Sequence, residues 1–386
     1  MSLAGVLTGV RVVSFEQAVA APFATRQLAD LGAEVIKVER PDGGDVARNY
    51  DRAVHGEASY FVWLNRGKRS VVLDLKAERD LTIARMLVEQ ADVVVQNLLP
   101  GAMARLGLDF EVLTAQRPEL IAVSISGYGE SGPSGDRKAY DLILQAETGM
   151  LEVTGDEEHR AKVGISVVDI ATGMYGFSAV LAALVKRRDT GRGGHISLSM
   201  LDAVGEWMAQ PFYYETYGDQ PLRRSGASHA TISPYGPYRV ADGEVFLAVT
   251  NDREWASLCR NVLNAPELTL DPRFVHNTER VANRREVTAI IENALNRVTV
   301  EQVRAKLDAA GIANTKVGHP ADLGDHPQLK ARERWADVRT PGGTVVGLRP
   351  PLLPDGGPAE LGSVPKLGEH TDEIVAQLNT THSNPE

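Results

Sequence analysis

Short runs of β-branched and other apolar residues alternate with helix-forming stretches through residues 1–130. Such runs are typical of buried strands, and the stretches between them have the composition of helices. Strands that are separated by helices form βαβ units, in which the strands lie parallel, so we expect a mostly parallel sheet. Its predicted strands are RVVSF (11–15), EVIKVE (34–39), SVVLDL (70–75), ADVVVQN (91–97) and LIAVSIS (120–126), with helices at 21–32, 78–90 and 110–117.

The remainder of the chain predicts a second, smaller α/β domain and a strap. An Asp-Gly pair at 242–243 is typical of a hairpin turn, and the tail from about residue 340 is rich in Pro and Gly. The predicted elements are a helix at 169–186, a glycine-rich turn and strand at 191–201, a hairpin at 234–250, helices at 252–264 and 283–310, and a final helix. We expect a large domain at 1–200, a linker at 201–224, a small domain at 225–325 and a C-terminal strap at 326–386.

Composition and charge exclude several classes of protein. The chain has 386 residues, a length typical of two or three domains, and a formal net charge of −10, which argues against a general binder of nucleic acid or anionic membrane. Its one cysteine, Cys259, permits no disulfide within the chain. The first residues lack the basic flank of a signal peptide, and no uninterrupted apolar run reaches the ~20 residues of a membrane span. We expect a cytoplasmic protein without a metal site, because the histidines lack metal-ligand spacing.

One glycine-rich motif resembles a dinucleotide loop. GYGESG (127–132) fits the G-x-G-x-x-G pattern and follows a predicted strand. Pro133 and SGDRKAYD come next, however, and no helix pattern opens there, as a dinucleotide loop requires. We interpret the motif as a mobile loop at a strand end.

Asp169 lies where the small and β-branched run GISVV meets the helical pattern IATGMYG. One interpretation is an N-cap, because Asp is among the preferred residues there. The other is a nucleophile, since a carboxylate at a helix N-terminus is held ionised by the helix dipole and nearby N–H groups. An accessible carboxylate can attack an activated carbonyl. The residues alone leave both interpretations open.

Longer motifs give the chain a resemblance to a known family. The segments are AAPFATRQLADLGAEVIKVERP (20–41), NRGKRSVVLDLK (65–76), DVVVQNLLPGAMARLGLD (92–109), SISGYGESGP (124–133), KAYDLILQAETGM (138–150), VGISVVDIATGMYG (163–176), LVKRRDTGRGGHISLSMLDA (184–203) and SPYGPYRVADG (233–243). Taken together and in this order, they resemble the class III CoA-transferases, the formyl-CoA transferase family, over nearly the whole chain.

The resemblance implies a mechanism. Asp169, in a D-x-x-x-G motif with Gly173, would attack a donor acyl-CoA to form a mixed anhydride. The released thiolate would return to give an aspartyl-CoA thioester, and an acceptor carboxylate would reverse these steps. Each step develops an oxyanion that needs N–H donors, for which the region around Gly173 is one source.

The resemblance also implies an architecture and a set of partners. The fold would be α/β, with a Rossmann-like large domain, a mostly parallel sheet and a smaller α/β domain. The ring-shaped chain would interlock with a second copy as a homodimer. Coenzyme A and acyl-CoA would be substrates together with a small carboxylic acid, and no cofactor would be tightly bound.

Binding positions follow from the same resemblance. Arg40, Lys76, Asn97 and Arg105 correspond to contacts with the CoA nucleotide, although each could be a solvated surface residue. Lys138 and Tyr140 correspond to the segment that lines the pocket near the thioester. Val19 and Ala20 correspond to residues whose backbone groups pass beneath the pantetheine arm. The complete predicted CoA-binding set is Val19, Ala20, Arg40, Leu73, Lys76, Asn97, Leu98, Arg105, Arg137, Lys138 and Tyr140.

The chain departs from the family pattern near the acceptor. The best-studied type has Gln at the position of Val19 and a run of glycines where this chain has SGASHATISPYG (225–236), which puts formyl and oxalyl substrates in doubt. Arg223, Arg224 and His229 could hold a second carboxylate of the acceptor. They could equally form a surface loop and pair with acids such as Glu215 or Asp219. Succinate, malate, mesaconate, citramalate and itaconate are the acids that we favour.

Three other functions remain as alternatives. A 2-methylacyl-CoA racemase resembles the chain but uses a His-Asp pair at Tyr140-Asp141, and a tyrosine with a pKa of about 10 is poorly suited as a base. A non-catalytic CoA-binding or regulatory Rossmann-type protein would not need Asp169 in its full motif. An NAD-dependent dehydrogenase rests on GYGESG alone.

Overall fold

The computed structural model describes residues 2–218, 221–358 and 360–382. The chain forms two compact units, which are described separately. The first consists of Met1–Thr148, Gly164–Ala209 and Gly324–Glu386, and the second of Gly149–Val163 and Gln210–Leu323. Residues 149–163 thus group with the second unit, although they lie inside the predicted large domain. Where independently folding domains begin and end stays a prediction.

The first unit is built on a six-stranded sheet with the order β3-β2-β1-β4-β5-β6. All its strand pairs are parallel, which confirms the predicted sheet. β-branched residues dominate because both faces of the sheet are covered. Its strands are β1 (Arg11–Phe15), β2 (Glu34–Glu39), β3 (Lys68–Val72), β4 (Val93–Gln96), β5 (Ile121–Ser126) and β6 (Gly194–Ser199).

Helices cover both faces of this sheet. The helices of the first unit are α1 (Ala20–Asp30), α2 (Ser59–Asn65), α3 (Glu78–Glu89), α4 (Ala102–Arg105), α5 (Phe110–Gln116), α6 (Asp141–Glu147), α8 (Val167–Thr190), α9 (Met200–Trp207), α15 (Pro327–Ala331) and α16 (Thr371–His382). A core of buried side chains that includes Val13, Ile36, Leu87, Phe110 and Ile374 lies under α3, α5 and α16. α1 and α8 pack against each other and on the strands. The predicted helices at 21–32, 78–90, 110–117 and 169–186 are confirmed, with α8 longer than expected at both ends.

Among the residues that the structure describes, α8 is one helix long and apolar enough to cross a membrane by length and composition. Asp169 in its first turn interrupts the apolar run, which is why the sequence shows no uninterrupted stretch of ~20 apolar residues here. α8 packs on α1, β5, β6 and α9, and its buried residues include Val168, Phe177 and Val180. A core helix of a globular protein meets the same criterion, so this helix does not indicate a membrane span.

The C-terminal segment covers the open edge of the sheet at β3. Ser70 donates its N–H to Nδ1 of His370, 3.2 Å away, and accepts the N–H of His370 at 3.0 Å. Val72 donates to Oγ1 of Thr371 at 3.0 Å. These hydrogen bonds satisfy backbone N–H and C=O groups of the edge strand that could otherwise pair with a strand of another chain. The tail also forms a hairpin that the sequence did not predict, β10 (Trp335–Thr340) with β11 (Gly343–Leu348).

The second unit contains the predicted hairpin, β7 (Tyr235–Val240) with β8 (Gly243–Ala248), and β9 (Ala313–Lys316) extends it antiparallel. Its core packs Tyr238, Leu247, Trp255 and Ile291 between this sheet and the helices. The single helix predicted at 283–310 is wrong. The chain breaks because Thr299 and Gln302 form a capping box that starts a new helix. The helices are α7 (Met150–Val153), α10 (Ala209–Tyr217), α11 (Asp252–Asn261), α12 (Asn277–Ala282), α13 (Arg284–Leu295) and α14 (Val300–Ala309).

Candidate active site

The carboxyl ends of the six parallel strands meet at one edge of the first unit. In sheets of this kind, ligands bind outside that edge where the strand order reverses, which here is between β1 and β4. The loops that follow these two strands are joined there. Asn97 accepts the N–H of Gln17 at 2.9 Å and donates from Nδ2 to the carbonyl of Gln17 at 2.8 Å. Asn97 therefore fixes the loop after β1, and a CoA contact by Asn97 stays a prediction.

Buried charges hold the next residue of the same loop. Ala18 has a left-handed backbone, with φ of 61°, and donates its N–H to Oδ1 of Asp45 at 2.8 Å. Oδ2 of Asp45 lies 2.7 Å from Nζ of Lys37, which also pairs with Glu16 at 3.3 Å. Burial lowers the pKa of Lys37, but the carboxylates of Asp45 and Glu16 outweigh this effect, so the pKa is raised overall and the ammonium stays charged. The strained backbone of Ala18 is thus fixed by a hydrogen bond to a carboxylate that belongs to a buried network of opposite charges.

The loop leads into the start of α1. Val19 is the N-cap residue, and no side chain caps this helix. Val19 and Ala20 are buried, with 3% and 2% of their surface exposed, so only their backbone groups can face a ligand. The first N–H groups of a helix carry partial positive charge and are suited to anionic groups. This arrangement supports the predicted role of the two residues and does not test it.

The predicted cations lie on the loops that follow the strands. Arg40 follows β2, Lys76 follows β3 and Arg105 ends α4 after β4; all three are exposed. Arg137 and Lys138 follow β5 and are exposed as well; the Arg137 guanidinium lies 4.9 Å from the ring centre of Tyr128. Because the strands are parallel, the fold brings all these loops to the same edge. Their contacts with CoA stay predictions.

The two predicted leucines have their side chains turned into the protein. Leu73 is buried and belongs to the core of the first unit, and its N–H donates to the carbonyl of Glu39. Leu98 is partly buried against the same core, and its N–H donates to Oε1 of Gln96 at 2.7 Å. Leu73 therefore has only its carbonyl group to offer, whereas Leu98 is partly exposed, and CoA contacts by both leucines stay predictions.

Asp169 lies in the first turn of α8, at the same edge of the sheet, and is half-buried. Burial raises the pKa of its carboxyl to about 7, and the negative charge of Asp141 adds to this effect. Burial therefore outweighs the stabilisation of the charged form that the helix terminus was expected to give. The N–H groups at this terminus also donate to another residue.

That residue is Asp141, the first residue of α6, which the sequence analysis did not place in the site. Its Oδ1 accepts the N–H of Val168 at 2.8 Å and the N–H of Asp169 at 3.2 Å. Ser166, the N-cap residue of α8 by position, makes no capping bond with its side chain. Asp141 lies 27 residues before Val168 in the chain, so no local capping pattern could reveal it.

Gly173, one turn after Asp169, brings α8 against the start of α1. A Cβ at this position would lie 2.6 Å from the carbonyl oxygen of Ala20 and 3.0 Å from Phe23. Residues four apart share a face of a helix, so Asp169 is on the side of α8 that faces this loop. Gly173 is buried inside the helix, where its N–H belongs to the helix ladder. It is a close-packing residue, and the expectation that it supplies oxyanion donors is wrong.

Aromatic side chains surround the start of α8. The hydroxyl of Tyr60 lies 3.1 Å from Oγ of Ser166, and its ring meets that of Tyr50 edge-on at 5.8 Å. Tyr140, the N-cap residue of α6, is 66% exposed. Within residues 2–218, 221–358 and 360–382 no cluster of His, Cys, Asp and Glu side chains could hold a metal ion.

The predicted acceptor residues lie in the second unit. Arg224 pairs with Glu152 at 3.0 Å and donates from Nε to the carbonyl of Asp156 at 2.8 Å, so its charge is engaged within this unit. Arg223 and Arg224 line a cavity of about 580 Å³ together with Glu152, Glu157 and Glu215. His229 stacks on Tyr235 with ring centres 5.2 Å apart. Asp219 lies outside the described residues, and substrate binding by Arg223, Arg224 and His229 stays a prediction.

A Ser-His-Glu chain occurs on the sheet, but it is no substitute for Asp169. Ser124 lies 2.9 Å from Nε2 of His195, whose Nδ1 lies 2.8 Å from Glu111. The spacing is that of a hydrolase triad. Ser124 is only 2% exposed, however, so an acyl group has no access to its hydroxyl.

The fold and the site define an α/β protein with a Rossmann-type sheet and a half-buried carboxyl group, that of Asp169, at the carboxyl ends of its strands. Comparison with known proteins gives the family. The sequence model of CoA-transferase family III matches residues 7–371. The chain belongs to this family, as the resemblance predicted, and it is a class III CoA-transferase.

Individual relatives match along nearly their whole length. The succinate–glutarate CoA-transferase of Agrobacterium fabrum is 37% identical, and the match covers 97% of this chain and 96% of that protein. The acetyl-CoA:oxalate CoA-transferase of Acetobacter aceti is 34% identical over 99% of this chain and 97% of its own. A crystal structure of a CAIB/BAIF family protein from Brucella suis superposes with a TM-score of 0.83 at 36% identity, covering 96% of this chain and 99% of that one.

Replacing Gly173 by Ala tests the close contact between α1 and α8. We expect Gly173→Ala to lower the free energy of unfolding by about 1–3 kcal/mol, because the new methyl group meets backbone that cannot move freely. Gly205→Ala in α9 is the matched control, since a Cβ there meets nothing within 4 Å. The control should be neutral or stabilising by about 0.5–1 kcal/mol. Equal stabilities of the two variants in denaturant titrations would contradict the close contact.

Proposed function

We propose that this protein transfers CoA from a donor such as succinyl-CoA to a small dicarboxylic acid, with Asp169 as the covalent nucleophile. The observation that carries the proposal is the Asp169 carboxyl, half-buried at the ligand-binding edge of the sheet with its pKa raised to about 7. A more basic carboxylate is a better nucleophile once it is ionised. A raised pKa in such a place is typical of a functional group.

The proposed transfer consists of two exchange steps that first run forward and then run in reverse. An oxygen of Asp169 attacks the acyl carbonyl of the donor, and the C–S bond breaks to give a mixed anhydride and CoA thiolate. The thiolate attacks the Asp169 carbonyl carbon and releases the donor's free acid, which leaves an aspartyl-CoA thioester. The acceptor carboxylate attacks this thioester, and the two steps run in reverse to give the new acyl-CoA and free Asp169. Each intermediate keeps the activation of the thioester, whereas an ester on serine would lose much of it.

Two features support a dicarboxylate as the acceptor. Glutarate and oxalate, which occur in the names of the Agrobacterium and Acetobacter relatives, are both dicarboxylic acids. The two acids differ in length, so the length of the acceptor stays open. In this chain Arg223 borders a cavity whose other cation, Arg224, is already paired with Glu152. Arg223 is therefore the better placed of the two to receive a second carboxylate.

The backbone of Val19 and Ala20, together with the exposed cations at the strand ends, would bind CoA. The nucleotide of CoA carries several phosphate charges, and the protein has a net charge of −10. A local group of cations is needed to overcome that overall repulsion. Arg40, Lys76 and Arg105 lie on three neighbouring loops and would supply it.

We also propose that two chains interlock as a homodimer. α10 has no buried residue, and three of its aromatic side chains, Phe212, Tyr213 and Tyr217, are 57%, 61% and 77% exposed. Exposed aromatic clusters of this kind are typical of protein interfaces. A solution mass of one chain, measured by light scattering, would contradict the dimer.

Asp169→Asn is the direct test of the nucleophile. We expect it to abolish transfer while acyl-CoA still binds, because an amide cannot form the anhydride. Incubation of wild type with succinyl-CoA should add the mass of CoA less water, and borohydride should trap the adduct on Asp169 only. Turnover near that of wild type in Asp169→Asn would contradict covalent catalysis, even if the protein remains a CoA-transferase.

The acceptor class is tested by comparing succinate, glutarate and oxalate with butyrate. We expect wild type to prefer the dicarboxylates by roughly 30–150-fold in kcat/KM, since a desolvated guanidinium–carboxylate pair discriminates by ~2–3 kcal/mol. Arg223→Ala and His229→Ala should reduce this difference in kcat/KM between the dicarboxylates and butyrate. Arg224→Ala should instead lower stability, because it removes the pair with Glu152. Equal use of butyrate and succinate by wild type would overturn the dicarboxylate proposal.

A further inference from the structure

We propose that Asp141 is a positioning residue for the transfer reaction. Its carboxylate holds the first turn of α8 by the backbone and keeps a negative charge beside Asp169, which disfavours the free carboxylate until that group is acylated. This inference rests on the proposed function. It assigns a role in transfer to a residue that the resemblance to the CoA-transferases left without one.

The carboxylate of Asp141 is held in place by several donors. Oδ1 accepts from the backbone N–H groups of Val168 and Asp169, at 2.8 and 3.2 Å. Oδ2 accepts from Nε2 of Gln145 at 2.6 Å, and Gln145 is buried one turn further along α6. These bonds fix both oxygens. The nucleophile is therefore anchored through its own backbone N–H.

A charged cap at this point has an electrostatic cost that a neutral cap would avoid. Ser, Thr and Asn satisfy helix N–H groups about as well as Asp does. Ser166 stands at the cap position of α8 and makes no such bond. Asp141 instead places a second carboxylate next to Asp169, and like charges in one site repel each other. The arrangement is explained if the repulsion serves the reaction.

The remaining groups around Asp169 do not offset this charge. Tyr140 precedes Asp141, and Tyr50 and Tyr60 lie near the start of α8; none of these side chains carries a positive charge. From α1, which packs along α8, the charged side chains are Arg26 and Asp30, which pair with each other at 2.5 Å near its C-terminus. Burial and the charge of Asp141 together raise the pKa of Asp169, in that order.

The repulsion disappears when Asp169 reacts. As its oxygen bonds to the acyl carbon and the C–S bond breaks, the negative charge leaves with the CoA thiolate. The mixed anhydride on Asp169 is neutral, and so is the aspartyl-CoA thioester that follows. Asp141 thus raises the free energy of free ionised Asp169 relative to both covalent intermediates. Interactions that differ between ground state and transition state in this way increase the rate.

Asp141→Asn removes the negative charge at position 141 but can keep the hydrogen bonds that cap α8. Asparagine has nearly the same shape, and its carbonyl oxygen can accept the same two backbone N–H bonds. The measurement is the rate of CoA-adduct formation with succinyl-CoA, followed by rapid quench and intact mass across about pH 5–9. In wild type the rate should rise as pH passes about 7, because the raised pKa leaves Asp169 protonated below that value.

In Asp141→Asn we expect this rise to move to lower pH by about one unit. We also expect a plateau about 3- to 10-fold lower, because a less basic carboxylate is a weaker nucleophile. Asp141→Glu keeps the charge and displaces the cap, so it should slow the reaction and leave the rise near pH 7. Asp189→Asn is the matched control. It removes an exposed carboxylate at the far end of α8 and should change neither quantity.

Thermal stability gives a second readout that needs no turnover. A carboxyl whose pKa is raised by folding destabilises the native state once pH exceeds the unfolded value, and the effect is complete above the folded value. Asp169→Asn should therefore raise Tm more at pH 8 than at pH 5. In the Asp141→Asn background this difference should shrink.

The outcomes distinguish the inference from the proposed function. If wild type forms an adduct and Asp141→Asn leaves both the pH of the rise and the pH dependence of Tm unchanged, Asp141 is only a cap and the inference is overturned. If wild type forms no adduct, the proposed function fails, and the Tm series still decides whether Asp141 acts on Asp169. Should Asp141→Asn not fold, a rise displaced from pH 7 in Asp141→Glu would overturn the inference.

Discussion

The close contact between α1 and α8 at Gly173 controls the geometry of the site. The helices meet where a Cβ would lie 2.6 Å from the carbonyl oxygen of Ala20. Gly176, on the same side of α8, lies near Ala24 and Ile125. A side chain at Gly173 would push α8 outward and carry Asp169 away from the loop after β1, whereas a Cβ at Gly176 would make contacts of 3.4 Å. The D-x-x-x-G spacing therefore joins the candidate nucleophile to the packing contact that places it.

Buried charged side chains fix the loop after β1, which lies on the side of α8 that carries Asp169. Lys68 lies 2.6 Å from Glu16, Lys37 lies 2.7 Å from Asp45, and Asp45 accepts the N–H of strained Ala18. Replacing such buried pairs by apolar residues is often neutral or stabilising, so stability alone is a weak explanation for them. They fix a backbone shape instead. With Asn97 on its other side, the loop is held at consecutive residues, and a backbone binding site needs this rigidity.

Local patterns were enough to predict much of the fold. The bounds of β1 and β2 agree with RVVSF and EVIKVE, because buried parallel strands are continuous apolar runs with clear ends. The break between α13 and α14 was missed since helical periodicity continues through it, and only the capping box at Thr299 marks the start of a new helix. The motif marked Asp169 as a candidate nucleophile, which stays a prediction. The contact of Asp141 with the start of α8 could not be predicted, because it joins residues 27 positions apart.

The ionisation of Asp169 shows why position along a helix does not determine electrostatics. A carboxylate in the first turn is stabilised when it faces free N–H groups. In α8 the N–H groups of Val168 and Asp169 already donate to Asp141, and Asp169 itself is half-buried. The carboxylate of Asp141 thus receives the hydrogen bonds from the helix N–H groups, and the carboxyl of Asp169 is the one that is buried. The first becomes a fixed structural charge, and the second is left with a high proton affinity and no ionic partner among the described residues. That division is what the proposed reaction requires of the two aspartates: one anchors the helix, and the other would act as the nucleophile.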